Sequence, residues 1–152
     1  EAGTFVEQAV SRHEYDGFNL VLADEDDALL VEWDGTLQET TFEPGVHVVV
    51  NVGADDEFEI PTFRSEHAIS QVNRTRRARA NLCPKPDEDA DSWVERAVDV
   101  LRDHEYGFCV HEDGYGTRSS SLYRFASDGT VRSEYADGPP CETAYVDVDV
   151  PE

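Results

Sequence analysis

The stretch Ala28-Leu-Leu-Val-Glu-Trp33-Asp34-Gly35-Thr36-Leu-Gln-Glu-Thr-Thr-Phe42 decides how the first half of the chain is read. Ala28 to Trp33 is rich in apolar, branched and aromatic residues, Asp34-Gly35 is a strong two-residue hairpin signal, and Thr36 to Phe42 returns from it. Upstream, the apolar run Phe18 to Ala23 meets this hairpin across the acidic loop Asp24 to Asp27. Downstream, Pro44-Gly45 turns the chain into Val46-His47-Val48-Val49-Val50-Asn51-Val52, another strand. Four successive strands joined by short turns predict an antiparallel meander.

The remaining patterning adds helices and then strands again. Phe5, Val6, Ala9 and Val10 predict a short amphipathic helix over Thr4 to Arg12, with Thr4-x-x-Glu7 as its cap. Arg64 to Leu82 has helical composition with a weak stripe of Ala68, Ile69, Val72 and Leu82. The acidic loop Pro84 to Asp89 ends it, and Ala90, Trp93, Val94, Ala97, Val98 and Leu101 mark the clearest helix of the chain. Strands follow over Gly107 to His111, Ser119 to Phe125, Val131 to Tyr135 (after an Asp128-Gly129 turn) and Thr143 to Val150. The fold class is therefore α+β, with antiparallel sheets layered against helices. At 152 residues the chain suits a single domain, or the C-terminal portion of a larger one. It has no methionine and opens Glu1-Ala2-Gly3, which favours an upstream N-terminal segment of the same polypeptide.

Charge bounds the surroundings. The chain has 34 acidic against 12 basic residues and a formal net charge of -22, spread along its length. Two Trp, six Tyr and seven Phe set it apart from a disordered acidic tail. A folded domain this acidic repels itself at low ionic strength, and at about 1 M salt a Debye length of roughly 3 Å screens that repulsion. A halophile's cytosol is the natural setting, and the charge argues against nucleic-acid or anionic-membrane partners. No signal peptide or apolar run of about 18 residues is present. Three cysteines without a CxxC pair read as free thiols in a reducing cytoplasm.

Several constellations bear on chemistry. In Asp113 to Leu122, two glycines flank Tyr115, and Thr117, Arg118 and Ser119 lead into the next strand. A guanidinium among hydroxyls grips a carboxylate, a phosphate or an oxyanion; the bland alternative is a polar hairpin whose hydroxyls satisfy backbone groups. Asn51 closes a valine-rich strand, so its amide either points into a cleft at the strand end and donates to a carbonyl oxygen, or caps the turn. Arg74, Arg76, Arg77 and Arg79 are either a phosphate or nucleic-acid patch or local partners for the abundant carboxylates, the reading favoured in so acidic a chain. His104, Cys109, His111, Glu112 and Asp113 crowd together, but their spacing matches no compact zinc pattern, so no metal and no cofactor is expected.

Three segments, Tyr15 to Asp24, Gly45 to Gly53 and His111 to Ser121, resemble the C-terminal part of the NRDE family, also called the transport and Golgi organisation protein 2 family, in its haloarchaeal form. The likeness covers most of the chain, and Gly-Tyr-Gly-Thr-Arg is its most specific stretch. It implies the αββα sandwich of N-terminal nucleophile hydrolases, of which this chain would be a part. It further implies a cysteine nucleophile directly after the initiator methionine and an Asn-Arg-Asp-Glu signature soon after, neither of which occurs here. By the same resemblance Asn51 stands where an asparagine stabilises the oxyanion, and Arg118 where a late arginine sits near the nucleophile. Tyr115, Thr117 and Ser119 would then contact a small-molecule substrate. The implied activity is amide-bond hydrolysis. The rival is non-catalytic binding or trafficking, including haem handling, with His47, His111 or Cys109 as conceivable iron ligands.

Overall fold

The structure, a computed structural model, describes residues 2–149 and is α+β, with three helices and small antiparallel sheets. Helix α1 (Ala2–Arg12) is followed by β1 (Phe18–Ala23), β2 (Ala28–Trp33) and β3 (Leu37–Thr41), which form one sheet in that order. Phe18 faces Trp33 across β1 and β2, and Trp33 faces Leu37 across β2 and β3. Successive strand residues point to opposite faces, and Leu30 and Val31 are both fully buried. The central strand is thus covered on both sides, which explains its continuous apolar sequence. The edge strand β1 keeps Leu20 and Val21 37% and 48% exposed.

The β2–β3 connection has three residues rather than two. The Asp34 carboxylate accepts a bond from the Thr36 N–H at 3.0 Å, which draws Thr36 into the loop. Among the described residues, the Asp-Gly turn with only two loop residues lies later, at Asp113-Gly114. It joins β7 (His111–Glu112) to β8 (Tyr115–Gly116), with Gly114 at φ 77°. The bland reading of Asp113 to Leu122 as a polar hairpin therefore matches the observed backbone.

The expected fourth strand does not join the meander. Only Val49–Val50 (β4) is extended, because side chains elsewhere take the backbone groups of residues 46–48. The Val48 N–H donates to the Asp55 carboxylate at 3.0 Å, and the Val46 carbonyl accepts from Arg79 Nε at 2.9 Å. Two-residue turns then fold β4, β5 (Gly53–Ala54) and β6 (Glu57–Phe58) into a separate three-stranded sheet. Asn51 stands in the first of these turns, not at the end of a long strand.

Thr4 lies inside α1, two residues beyond Ala2, so it is not the helix cap. Helix α2 (Ser65–Leu82) buries Ala68, Val72, Thr75 and Ala78 at helical spacing, while Ile69 is 51% exposed. Its true stripe uses small residues, which let helix α3 (Ala90–Arg102) and β4 approach closely. The Asp89 carboxylate caps α3 by accepting from the Ser92 N–H at 2.8 Å. Trp93 Nε1 donates to the Leu82 carbonyl at 2.7 Å, and Arg96 joins the Asn81 and Cys83 carbonyls to the Glu88 carboxylate, so α3 closes off the C-terminus of α2.

Of the predicted strand from Gly107 to His111 only His111 is extended, at the start of β7, and the chain before it turns, with the Tyr106 and Gly107 N–H groups bonding back to the Asp103 and His104 carbonyls at 3.1 Å. A last sheet has β10 (Val131–Ala136) between β9 (Ser120–Phe125) and β11 (Val146–Val148). The predicted final strand shortens at its start because the Glu142 and Thr143 N–H groups turn back onto the Pro139 carbonyl. Its Val150 lies outside the described residues. No described helix is long and apolar enough to cross a membrane.

Candidate functional site

An open cleft of about 920 Å³ lies between the first sheet and the small β4–β5–β6 sheet. Asn19 on β1 ties the two together, its Nδ2 donating to the Val50 carbonyl at 2.9 Å. Two sequence segments, Tyr15 to Asp24 and Gly45 to Gly53, therefore meet here. Asn51 is exposed and lines the cleft. Its turn is closed by backbone pairing of Val50 with Gly53 and by the Glu59 N–H donating to the Val52 carbonyl at 2.9 Å. The amide is thus not needed to cap the turn.

The lining sets what the cleft can take. Phe18, Trp33, Phe58 and Phe63 give it aromatic surface, and Trp33 is oriented by an Nε1 bond to the Tyr15 carbonyl at 3.4 Å. Glu32, Asp34, Asp56, Glu57 and Glu59 give it carboxylates. Only Asp56 among these has arginine partners, Arg76 at 3.2 Å and Arg79 at 3.1 Å. Such a surface favours a neutral or cationic molecule and repels an anionic one. The described lining contains no cysteine, serine, threonine or histidine, so it offers no thiol or hydroxyl nucleophile and no imidazole base.

The structure does not bring the other expected site residues to Asn51. None of Tyr115, Thr117, Arg118 and Ser119 lines the cleft. Tyr115 is 65% exposed on the β7–β8 hairpin, and Arg118 and Ser119 are exposed between β8 and β9. The Thr117 hydroxyl is spent on backbone, accepting from the Val110 N–H at 3.0 Å and donating to the Phe108 carbonyl at 2.8 Å.

Local neutralisation accounts for two of the four arginines in the run, Arg76 and Arg79. Arg76 and Arg79 pair with Asp56, Arg76 also lies over the Phe58 ring, and Arg77 donates to the Glu105 carbonyl at 2.9 Å. His47 is held at both ring nitrogens, Nδ1 by Asp55 at 2.6 Å and Nε2 by the Glu43 carbonyl at 2.7 Å, and it stacks on Phe42. It has no nitrogen left for an iron ion.

The crowded stretch from His104 to Asp113 resolves differently. His104, Cys109 and His111 come together, whereas Glu112 and Asp113 stay out on the hairpin. Cys141 joins them from beyond the β9–β10 hairpin, a residue that spacing along the chain could not nominate. Although Cys141 is exposed as a residue, desolvation of its sulfur, followed by the facing Cys109 thiol, pushes it above the ordinary thiol range. Comparison of the chain with protein-family models, curated proteins and solved structures gives no match.

Proposed function

We propose that this chain forms the substrate cleft and oxyanion-stabilising wall of an NRDE-type amide-bond hydrolase, with the nucleophile supplied by another segment of the same polypeptide. The observation that carries this reading is Asn51, exposed on a backbone-closed turn and lining a large cleft whose described lining has no thiol or hydroxyl nucleophile. An N-terminal cysteine thiolate, with its own α-amino group as base, would attack the carbonyl carbon. The Asn51 amide N–H would then donate to the oxygen as it becomes an oxyanion. Completion of an αββα sandwich by the nucleophile-bearing segment belongs to the same proposal.

Arg118 lies outside the cleft lining, and this reading gives it no part in the chemistry at Asn51. The aromatic and carboxylate lining, suited to a neutral or cationic ligand, also supports a second reading, a non-catalytic small-molecule carrier using the same cleft. Amide hydrolysis by the full-length gene product in molar salt separates the two. Asn51→Ala is expected to lower kcat by about 10²–10³, the usual cost of one oxyanion donor. Unchanged kcat would remove Asn51 from the chemistry, and no hydrolysis with retained ligand binding would favour the carrier.

A further inference from the structure

We propose that Cys109, His111 and Cys141, with His104 as the fourth ligand, form a closed tetrahedral site for a zinc-class divalent cation. One donor atom from each residue lies within 4.8 Å of every other. The sulfurs of Cys109 and Cys141 are 3.3 Å apart, and His111 Nε2 is 3.4 Å from the first and 3.1 Å from the second. Zinc bonds of about 2.3 Å to sulfur and 2.0–2.1 Å to nitrogen, at tetrahedral angles, put sulfurs about 3.8 Å apart and sulfur and nitrogen about 3.5 Å apart. The three donors therefore surround a point that an ion reaches with shifts of a few tenths of an ångström. The His104 ring stands 5.0 Å from that of His111, tilted by 32°, and closes the fourth side.

The chemistry of the set selects the metal. Two thiolates and two imidazoles suit zinc and not calcium or magnesium, which take oxygen. Two thiolates also neutralise a divalent cation. With all four ligands from protein, the site has no open position for substrate, so its role is structural, and it is separate from the cleft at Asn51. It fastens the Pro139-Pro140-Cys141 turn to the connection between α3 and β7.

The surroundings hold the ligands in place. Thr117 bonds to Phe108 and Val110, clamping the backbone on either side of Cys109. Arg102 Nε donates to the Pro140 carbonyl at 3.1 Å, fixing the residue before Cys141. Glu142 Oε1 lies 4.0 Å from His111 Nδ1, so a carboxylate faces the ring nitrogen opposite the ligating one. A hydrogen-bonded carboxylate is the usual outer partner of a metal-bound histidine, and Glu142 would fill that place by closing a few tenths of an ångström or more toward His111. A disulfide between Cys109 and Cys141, the competing use of the thiols, would require about 2.05 Å between sulfurs and leaves both imidazoles without a role.

Cobalt(II) titration of the reduced chain in molar salt tests the proposal, because only sulfur ligation gives a thiolate-to-cobalt charge-transfer band and the many surface carboxylates do not. One equivalent should produce that band together with the intense visible bands of a tetrahedral ion, and zinc should abolish both. Cys83→Ser should leave the titration unchanged, and Glu142→Gln should weaken affinity by about tenfold. Alkylation of the unaltered chain gives a readout independent of any variant. Cys141 is exposed, so zinc should protect it while Cys83 still reacts, and a chelator should restore its reactivity. Absence of the charge-transfer band, or equal labelling of Cys141 with and without zinc, would overturn the site. A Cys109–Cys141 disulfide that persists in reductant would overturn it equally.

Discussion

Gly53→Ala probes the turn that presents Asn51. Gly53 begins β5 with φ 129°, and a Cβ there would stand 2.2 Å from the Glu57 carbonyl oxygen and 3.2 Å from both Glu57 C and Phe58 Cα. All three are main-chain atoms of the β6 hairpin, so no side chain can swing aside. The positive φ costs a non-glycine residue about 1–3 kcal/mol. Forcing the hairpin apart adds about 1–3 kcal/mol, as overpacking generally does. The sum, about 2–6 kcal/mol, is a large part of the roughly 5–15 kcal/mol that holds a domain together. Gly129→Ala is the control: φ is 81° and nothing lies within 4 Å, so only the backbone cost of about 1–2 kcal/mol applies. Urea unfolding in molar potassium chloride reads both. With a slope near 1–3 kcal/mol per molar urea, Gly53→Ala should lower the midpoint by roughly 1–3 M. A Gly53→Ala midpoint no lower than that of Gly129→Ala would refute the packed-turn reasoning.

Three further outcomes follow from charge and packing. The unfolding midpoint should rise between low and molar salt as the repulsion of a -22 chain is screened, and a flat or falling curve contradicts the halophilic reading. Asp24, Glu88, Asp89 and Asp128 are all held below the usual carboxylate range. The causes are the Asp27 and Asp26 N–H groups, Arg96, Ser92 and Thr130 respectively. Their ionised forms favour the folded state, so this stability is complete above their unfolded values near 4 and is lost as pH falls through the lowered folded values. In molar salt the thermal midpoint should be level from pH 7 to about 5 and fall below about 4; a midpoint that climbs on acidification reverses the sign. Leu30→Ala should cost about 2–5 kcal/mol at a site 1% exposed, and Leu20→Ala, 37% exposed, well under half of that; comparable losses would show that β2 is not the centre of the core.

Local signals carried the parts of the fold that are locally determined. The strands on both sides of Asp34-Gly35 and Asp128-Gly129 form as read, and α3 starts where Asp89 caps it. The failures lie where distant groups compete for the backbone. Residues 46–52 look like a strand, yet Asp55 and Arg79 take the hydrogen bonds of Val48 and Val46, and the chain folds back at Asn51 instead. Of the expected α2 stripe Ala68 and Val72 are buried, whereas Ile69 faces water and the stripe is completed by Thr75 and Ala78, which carry little hydrophobic signal. The sequence left cleft and cap equally open for Asn51; it lines the cleft, on a turn the sequence did not reveal. Cys141 shows the other limit: no spacing rule connects it to His111, and only folding of the β9–β10 hairpin brings the two together. Arg118 stood out for its neighbours in sequence, but the fold leaves it away from the cleft.

In the proposed hydrolase the cleft at Asn51 works with a nucleophile from another segment of the polypeptide. N-terminal sequencing of the mature full-length gene product tests this most directly. A cysteine as the first residue, exposed by removal of the initiator methionine and followed by Asn-Arg-Asp-Glu, is the predicted result. A mature product that begins without that cysteine would contradict the account.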